Sequence, residues 1–202
     1  VSGIPKTFHI AWVQGLPLPE QYVPWNESWT RHNPDWEMKV WSEPDYIDLL
    51  PPEIVDVYVT AVNHAQRAEI ASKVILLEFG GVFLCADFEC FRPCGHFFET
   101  DHVVTWDESP GQLGNQIIGA PPGHPAVEEA LDDIPRSIKW QRKKNLPQTY
   151  GAGPHLVQRL WRNRPDVEIR PSKEFFPYLW NESKPSDWGD AYGAHHWQAT
   201  WK

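Results

Sequence analysis

Cys85, Asp87 and Glu89 alternate with Ala86, Phe88 and Cys90 just after the apolar run Val82-Phe83-Leu84. In extended backbone, alternate side chains share a face. A thiol and two carboxylates would then point the same way. Carboxylate oxygens are the ligands that hard divalent cations take, and a cation held there neutralises a substrate's phosphates. The preceding residues place this group. Glu78-Phe79-Gly80-Gly81 reads as a helix end and a two-glycine turn, because glycine supplies the left-handed backbone that leaves a helix. Val82-Phe83-Leu84 is too short and too apolar for anything but a core strand. Acids at the C-terminal end of a central strand lie where open α/β sheets bind ligands.

The elements that must position these residues alternate along the chain. Strands are predicted over Thr7–Val13, Glu37–Trp41, Val82–Leu84, Val103–Trp106 and Val167–Arg170. Helices are predicted over Pro52–Val62, from Asn63 to about Phe79, over Ala126–Ile134 and over His155–Trp161. Asn63 and Gln66 have the spacing of a helix-capping pair, and Ile70, Val74 and Leu77 recur at helical spacing. Residues 112–125 are rich in Gly and Pro and read as a loop, and Lys139–Lys144 reads as a basic segment beyond its helix. No repeat or domain boundary interrupts this order. The fold class is α/β with a mostly parallel sheet in a single domain.

Composition excludes several functions. The net charge of −9 and the lack of any basic run longer than Arg142-Lys143-Lys144 argue against a nucleic-acid partner. No apolar stretch approaches the roughly 20 residues of a membrane span. The three cysteines fall within ten residues and form no disulfide framework, so a reduced, cytoplasmic location is the default expectation. The chain begins at Val1, so a removed leader or anchor stays open. Asn26 and Asn181 match a glycosylation pattern that is common by chance. Twelve tryptophans suit sugar stacking, although packing is the ordinary role of each.

Four segments together carry a resemblance. Gly80-Gly81-Val82-Phe83 with its acidic strand end, Ile4-Pro5-Lys6-Thr7-Phe8-His9-Ile10-Ala11-Trp12, Asn33-Pro34-Asp35-Trp36-Glu37 with Trp41, and Ala194-His195-His196-Trp197-Gln198-Ala199-Thr200-Trp201 occur in one order along nearly the whole chain. In that order they resemble the signature of DXD-containing glycosyltransferases of the family 32 type. Relatives of that family include yeast initiating mannosyltransferases, bacterial capsule sugar transferases and clostridial glucosylating toxins. The resemblance implies a GT-A fold and transfer of a hexose from a UDP- or GDP-sugar to a glycan or other hydroxyl acceptor. It also implies retained anomeric configuration and Mn²⁺ or Mg²⁺ as cofactor.

The same resemblance implies site roles. Asp87 falls on the second Asp of the DXD motif, a direct metal ligand, while Cys85 replaces the first. Cys is a softer partner for Mn²⁺ or Mg²⁺. Glu69 and Ser72 stand where the family has an Asp and an Arg on the preceding helix. Ser72 cannot supply the guanidinium, and Lys73 or Arg67 is available to substitute. The implied metal set is Asp87, His195 and Glu89, with a core or surface role as the alternative for His195 and a salt bridge to Arg92 for Glu89. The implied catalytic set is Asp87, Glu69 and Asn115. Donor contacts are implied for Trp12, stacked on the base, and for His9, Glu69, Ser72, Phe83, Cys85, Asp107 and Trp201. Turn roles are the alternative for Asn115 and Asp107. The terminal segment is expected to close over the diphosphate and to be the part most easily freed.

The departures at Cys85 and Ser72 keep two other readings open: a metal-independent transferase, and a non-catalytic sugar- or nucleotide-binding relative. A zinc site on Cys85, Cys90, Cys94 and His96 is disfavoured by its irregular spacing. No His/acid partner pattern supports a Ser or Cys nucleophile.

Overall fold

The computed structural model describes residues 3–15 and 17–198. In chain order these residues form β1 (Thr7–Ala11), α1 (Val23–His32), β2 (Glu37–Trp41), α2 (Glu43–Tyr46), α3 (Pro52–Val59), α4 (His64–Phe79) and β3 (Gly81–Leu84). They continue as β4 (Phe88–Cys90), β5 (Val103–Ser109), β6 (Gln112–Ala120), α5 (Pro125–Lys144), α6 (Pro154–Trp161), β7 (Val167–Arg170) and β8 (Gly193–His195). Six strands make the central sheet in the order β2-β1-β3-β6-β5-β7, while β4 and β8 form a separate antiparallel pair. Pairing is parallel at β2/β1, β1/β3 and β5/β7 and antiparallel on both sides of β6. The sheet is thus mixed and mostly parallel, with helices flanking it.

Local chemistry explains the frame around β3. Asn63 caps α4, its side-chain oxygen accepting the Gln66 N–H at 3.0 Å, while Gln66 Oε1 accepts from Val62 N. At the other end, Gly80 and Gly81 have φ of 64° and 94°. A Cβ on Gly80 would sit 2.6 Å from Pro122 Cδ, and one on Gly81 would sit 2.6 Å from His9 Nε2. Only glycine fits there in both conformation and space.

Three sequence expectations are corrected here. Residues 112–120 are not a loop but β6, buried along nearly its whole length between two strands. Its glycines reflect crowding, since a Cβ on Gly119 would meet Phe98 at 2.6 Å. Helix α5 passes through Pro135 and includes the basic segment. An internal proline removes one helical hydrogen bond, but Ile134 and Ile138 are both fully buried and continue the apolar face across it. Helix α1, which no periodicity announced, packs against a cluster of aromatic side chains, where its Trp29 is fully buried.

The two faces of the sheet bury different chemistry. One core is aliphatic, built from residues such as Ile70, Val74 and Ile75 of α4 with Ile134 and Ile138 of α5. The other is aromatic, with Phe8, Trp29, Phe88, Trp106 and Phe175 in mutual contact. Four of the twelve tryptophans, Trp29, Trp41, Trp106 and Trp161, are fully buried packing residues.

Candidate active site

The chain leaves β3 by a tight turn, not by a continued strand: Phe88 N–H donates to Cys85 O at 3.2 Å. The strand parity expected for Cys85, Asp87 and Glu89 therefore breaks at the turn. Two bonds fasten the turn. Cys85 N–H donates to Gln116 O of β6 at 2.9 Å, and Asn26 Nδ2 of α1 donates to Ala86 O at 2.9 Å. Asn26 also donates to Tyr22 O and is buried, so its amide is committed to the fold and not to glycosylation.

The turn faces β8. Asp87 Oδ1 lies 3.1 Å from His195 Nε2, Asp87 Oδ2 accepts the Gln198 N–H at 2.8 Å, and Asp87 O accepts the His196 N–H at 2.9 Å. Burial pushes the Asp87 carboxyl up, but the His195 charge, the His195 hydrogen bond and the Gln198 N–H outweigh it and hold it at about 2. One ligand atom from each of Cys85, Asp87 and His195 lies within 4.8 Å of the other two. Among the described residues this is the one group of three that could hold a metal ion. The second ring nitrogen of His195, Nδ1, is buried without a hydrogen-bond partner.

A second charged layer lies behind the turn. Glu69 and Lys73, one helical turn apart on α4, are close enough to perturb each other and Cys85. Burial raises the Glu69 carboxyl and lowers the Lys73 ammonium, and their mutual attraction opposes both shifts. Burial also raises the Cys85 thiol, reinforced by Asp87 and Glu69. Asn115 Nδ2 of β6 reaches Glu69 Oε1 at 3.5 Å. Glu69 Oε2 and Lys73 Nζ are buried without hydrogen-bond partners. Gly153 leaves room for this carboxylate, since a Cβ there would come within 2.4 Å of Glu69 Oε1.

The structure thus gathers Cys85, Asp87, His195, Glu69 and Asn115, all expected, and adds Lys73, which the Arg-to-Ser departure had flagged as a possible substitute. Arg67, the other substitute, turns away to Glu43 at 3.5 Å and to the Tyr58 ring. Other expected residues are engaged elsewhere. Glu89 lies outside the group of three, its Oε2 being 2.8 Å from His196 Nε2, and its partner is this histidine and not Arg92. His9 spends both ring nitrogens on the fold: Nε2–H donates to Gly80 O at 2.9 Å, and Nδ1 accepts from Trp41 Nε1 at 3.0 Å. Ser72 is buried and donates to Glu69 O, a helix back-bond. Phe83 packs in the aliphatic core. Asp107 accepts from Arg162, just past α6, at 2.6 Å. Trp12 is largely buried against Tyr22, with ring centroids 5.3 Å apart. Trp201 lies outside the described residues.

Asn26, Gly153 and the Gln198 N–H escaped sequence reasoning. None carries a local signal, because each acts through a contact far away in sequence. The remaining cysteines make no metal knuckle: Cys90 and Cys94 flank the Asn33 amide, and the His96 ring lies tilted against Phe97.

No protein-family model matches the chain. Inositol phosphoceramide mannosyltransferase 3 of Schizosaccharomyces pombe is 25% identical over 97% of this chain, which spans 60% of that relative's length. An uncharacterized glycosyltransferase of Acanthamoeba polyphaga mimivirus is 25% identical over 98% of this chain and 84% of its own. Among solved structures, the PaToxG glycosyltransferase superposes with a TM-score of 0.63 at 15% identity, over 81% of this chain and 70% of that one. The UDP-bound glycosyltransferase domain from the YGT toxin gives 0.59 at 10% identity, over 83% and 79%. The fold is that of glycosyltransferase domains, and the chain is similar in sequence over nearly its whole length to proteins named as glycosyltransferases.

Proposed function

We propose that this protein transfers a hexosyl group from a nucleoside diphosphate sugar to an acceptor hydroxyl with retained configuration, using a divalent cation. The observation that carries the proposal is the convergence of Asp87, His195 and Cys85 at the turn that ends β3. The donor set fits a cation, being one carboxylate, one imidazole and one thiol with ligand atoms within 4.8 Å of one another. The ionised Asp87 supplies the negative charge such an ion needs. When bound, the ion would act as a Lewis acid toward the departing diphosphate. A UDP-bound relative of the same fold supports a nucleoside diphosphate as the donor's leaving portion.

In the proposed reaction, the bond from the sugar's anomeric carbon to the β-phosphate oxygen breaks. The acceptor oxygen bonds to that carbon from the same face, and its proton passes to the departing phosphate. The chain's own residues then have positioning roles. Asp87 and His195 would hold the ion at the diphosphate end of the donor. Glu69, aimed by Asn115, is placed behind them to accept from sugar hydroxyls. Trp12 follows β1 but is largely buried against Tyr22, so base stacking is not assigned to it.

Calorimetric titration of UDP, GDP and their sugars without metal and with Mn²⁺ or Zn²⁺ tests this. Metal-dependent binding of one nucleotide, lost in Asp87→Asn, is the expected result. Nucleotide binding without any transfer to hydroxyl acceptors would favour the non-catalytic reading, which the Cys85 and Ser72 departures support. No binding of any nucleotide would overturn both.

A further inference from the structure

We infer that the cation site of this chain is a thiolate site selecting a borderline-soft ion of the Zn²⁺ or Co²⁺ class, in place of the hard Mn²⁺ or Mg²⁺. The inference deepens the functional proposal and rests on it for the role of the ion, though not for its identity. Three observations support it. Cys85 Sγ belongs to the same group as Asp87 and His195, with all three ligand atoms within 4.8 Å of one another. His195 is buried, and its one polar ring contact is Asp87 through Nε2, so no residue outside the group holds that nitrogen. Glu89, the further oxygen ligand a hard ion would use, is bound to His196 instead.

Coordination chemistry turns these facts into a preference. Mg²⁺ and its hard analogues want six or more oxygen ligands. Sulfur and imidazole beside a single carboxylate suit Zn²⁺, whose catalytic sites hold three protein ligands and leave one position for substrate. In such a tetrahedral site, nitrogen and oxygen ligands stand about 3.3 Å apart, and the present separation of His195 Nε2 and Asp87 Oδ1 is 3.1 Å. This pair already stands at ligand spacing, and the Cys85 thiol, within 4.8 Å of both, would close on the ion. Binding replaces the thiol proton with the metal and releases that proton to solvent. The open fourth position would take an oxygen of the diphosphate.

Zn²⁺ outcompetes Mn²⁺ at most nitrogen and oxygen sites, so the test rests on Cys85 and not on raw affinity. The full chain is titrated with Co²⁺, and Kd values for Zn²⁺ and Mn²⁺ are measured in the wild type, Cys85→Ser and Cys85→Asp. Circular dichroism establishes that each variant folds. The expected wild-type spectrum has a sulfur-to-cobalt charge-transfer band that Cys85→Ser lacks. The ratio of Mn²⁺ to Zn²⁺ Kd should fall roughly tenfold or more in Cys85→Asp. A band that survives in Cys85→Ser would place the ion on Cys90 and Cys94 and overturn the inference, as would an unchanged ratio in Cys85→Asp. None of these readouts needs nucleotide. Failure of the transferase proposal would appear separately, as absence of UDP or GDP binding under every ion.

Discussion

Lys73 is fully buried on α4, and its ammonium has no hydrogen-bond partner. Holding a charge there costs several kcal/mol unless another charge compensates, and Glu69 alone offsets only part of the burial. A cation kept at that cost behind Cys85 raises the local potential where a diphosphate would arrive. Across roughly 7 Å at an effective dielectric of about 20, one charge contributes about 2 kcal/mol. Lys73→Met keeps the volume and removes the charge, and Glu69, already raised by burial, can take a proton to stay neutral. The variant is expected to fold within about 1 kcal/mol of wild type while binding UDP or GDP at least tenfold more weakly by calorimetry. Unchanged affinity would reduce Lys73 to a packing residue. Asp87 and His195 were legible because each falls on a motif position. Lys73 emerged only as a neighbour of the missing arginine, since a lone lysine in an apolar helix has no spacing to recommend it.

At the scale of elements, His9 shows how a motif residue can serve the frame and not the ligand. Its ring joins β1 to the end of α4 through Gly80 and to β2 through Trp41. Those two bonds require the neutral tautomer with hydrogen on Nε2, because a proton on Nδ1 would meet the Trp41 N–H. Burial lowers the His9 pKa to about 4, opposed by the Gly80 hydrogen bond and assisted by Lys39. A histidine depressed from an ordinary 6.5 stabilises the fold above that value and loses the contribution as pH falls toward 4. A shift of this size corresponds to about 3 kcal/mol at neutral pH. Urea unfolding between pH 7 and 4 should show this loss, and His9→Gln should flatten that part of the profile. An equally steep profile in His9→Gln would assign the acid sensitivity elsewhere. The same strand region shows where sequence reading stopped. Gly80-Gly81 and the apolar β3 follow from local rules, whereas the turn at 85–88 depends on Asn26 and Gln116, which are distant in sequence. The alternation of Cys85, Asp87 and Glu89 was sound chemistry on an assumed straight strand. Strand β6 was hidden because Gly119, which makes room for Phe98, and Gly114, which makes room for Gln116, look like loop residues.

Taken as a whole, the molecule builds its site from segments far apart in the chain. The turn after β3 supplies Asp87 and Cys85, while β8 returns near the C-terminus with His195. Strand β8 is docked, pairing with β4 from Phe88–His195 to Cys90–Gly193. Beyond it, His196 stacks on Trp25 at 4.2 Å, and Trp197 Nε1 donates to Tyr178 O at 3.1 Å. An expectation that this segment is the part most easily freed now meets a buried Ala194, His195 and His196. Removing it would uncover Phe88 and Phe176, which contact His195 in the aromatic core. Structure and function in the tail can be separated by two variants. Truncation after Tyr192 is expected to cost roughly 2–5 kcal/mol through the lost burial and to abolish metal-dependent nucleotide binding. His195→Gln keeps β8 and its backbone pairing, so it should stay within about 1 kcal/mol of wild-type stability and still lose that binding. Hydrogen exchange should show Phe88–Cys90 losing protection in the truncated protein but not in His195→Gln, with the six-stranded sheet protected in both. If His195→Gln binds nucleotide with undiminished metal dependence, the tail contributes packing alone, and the cation site must be closed by other residues.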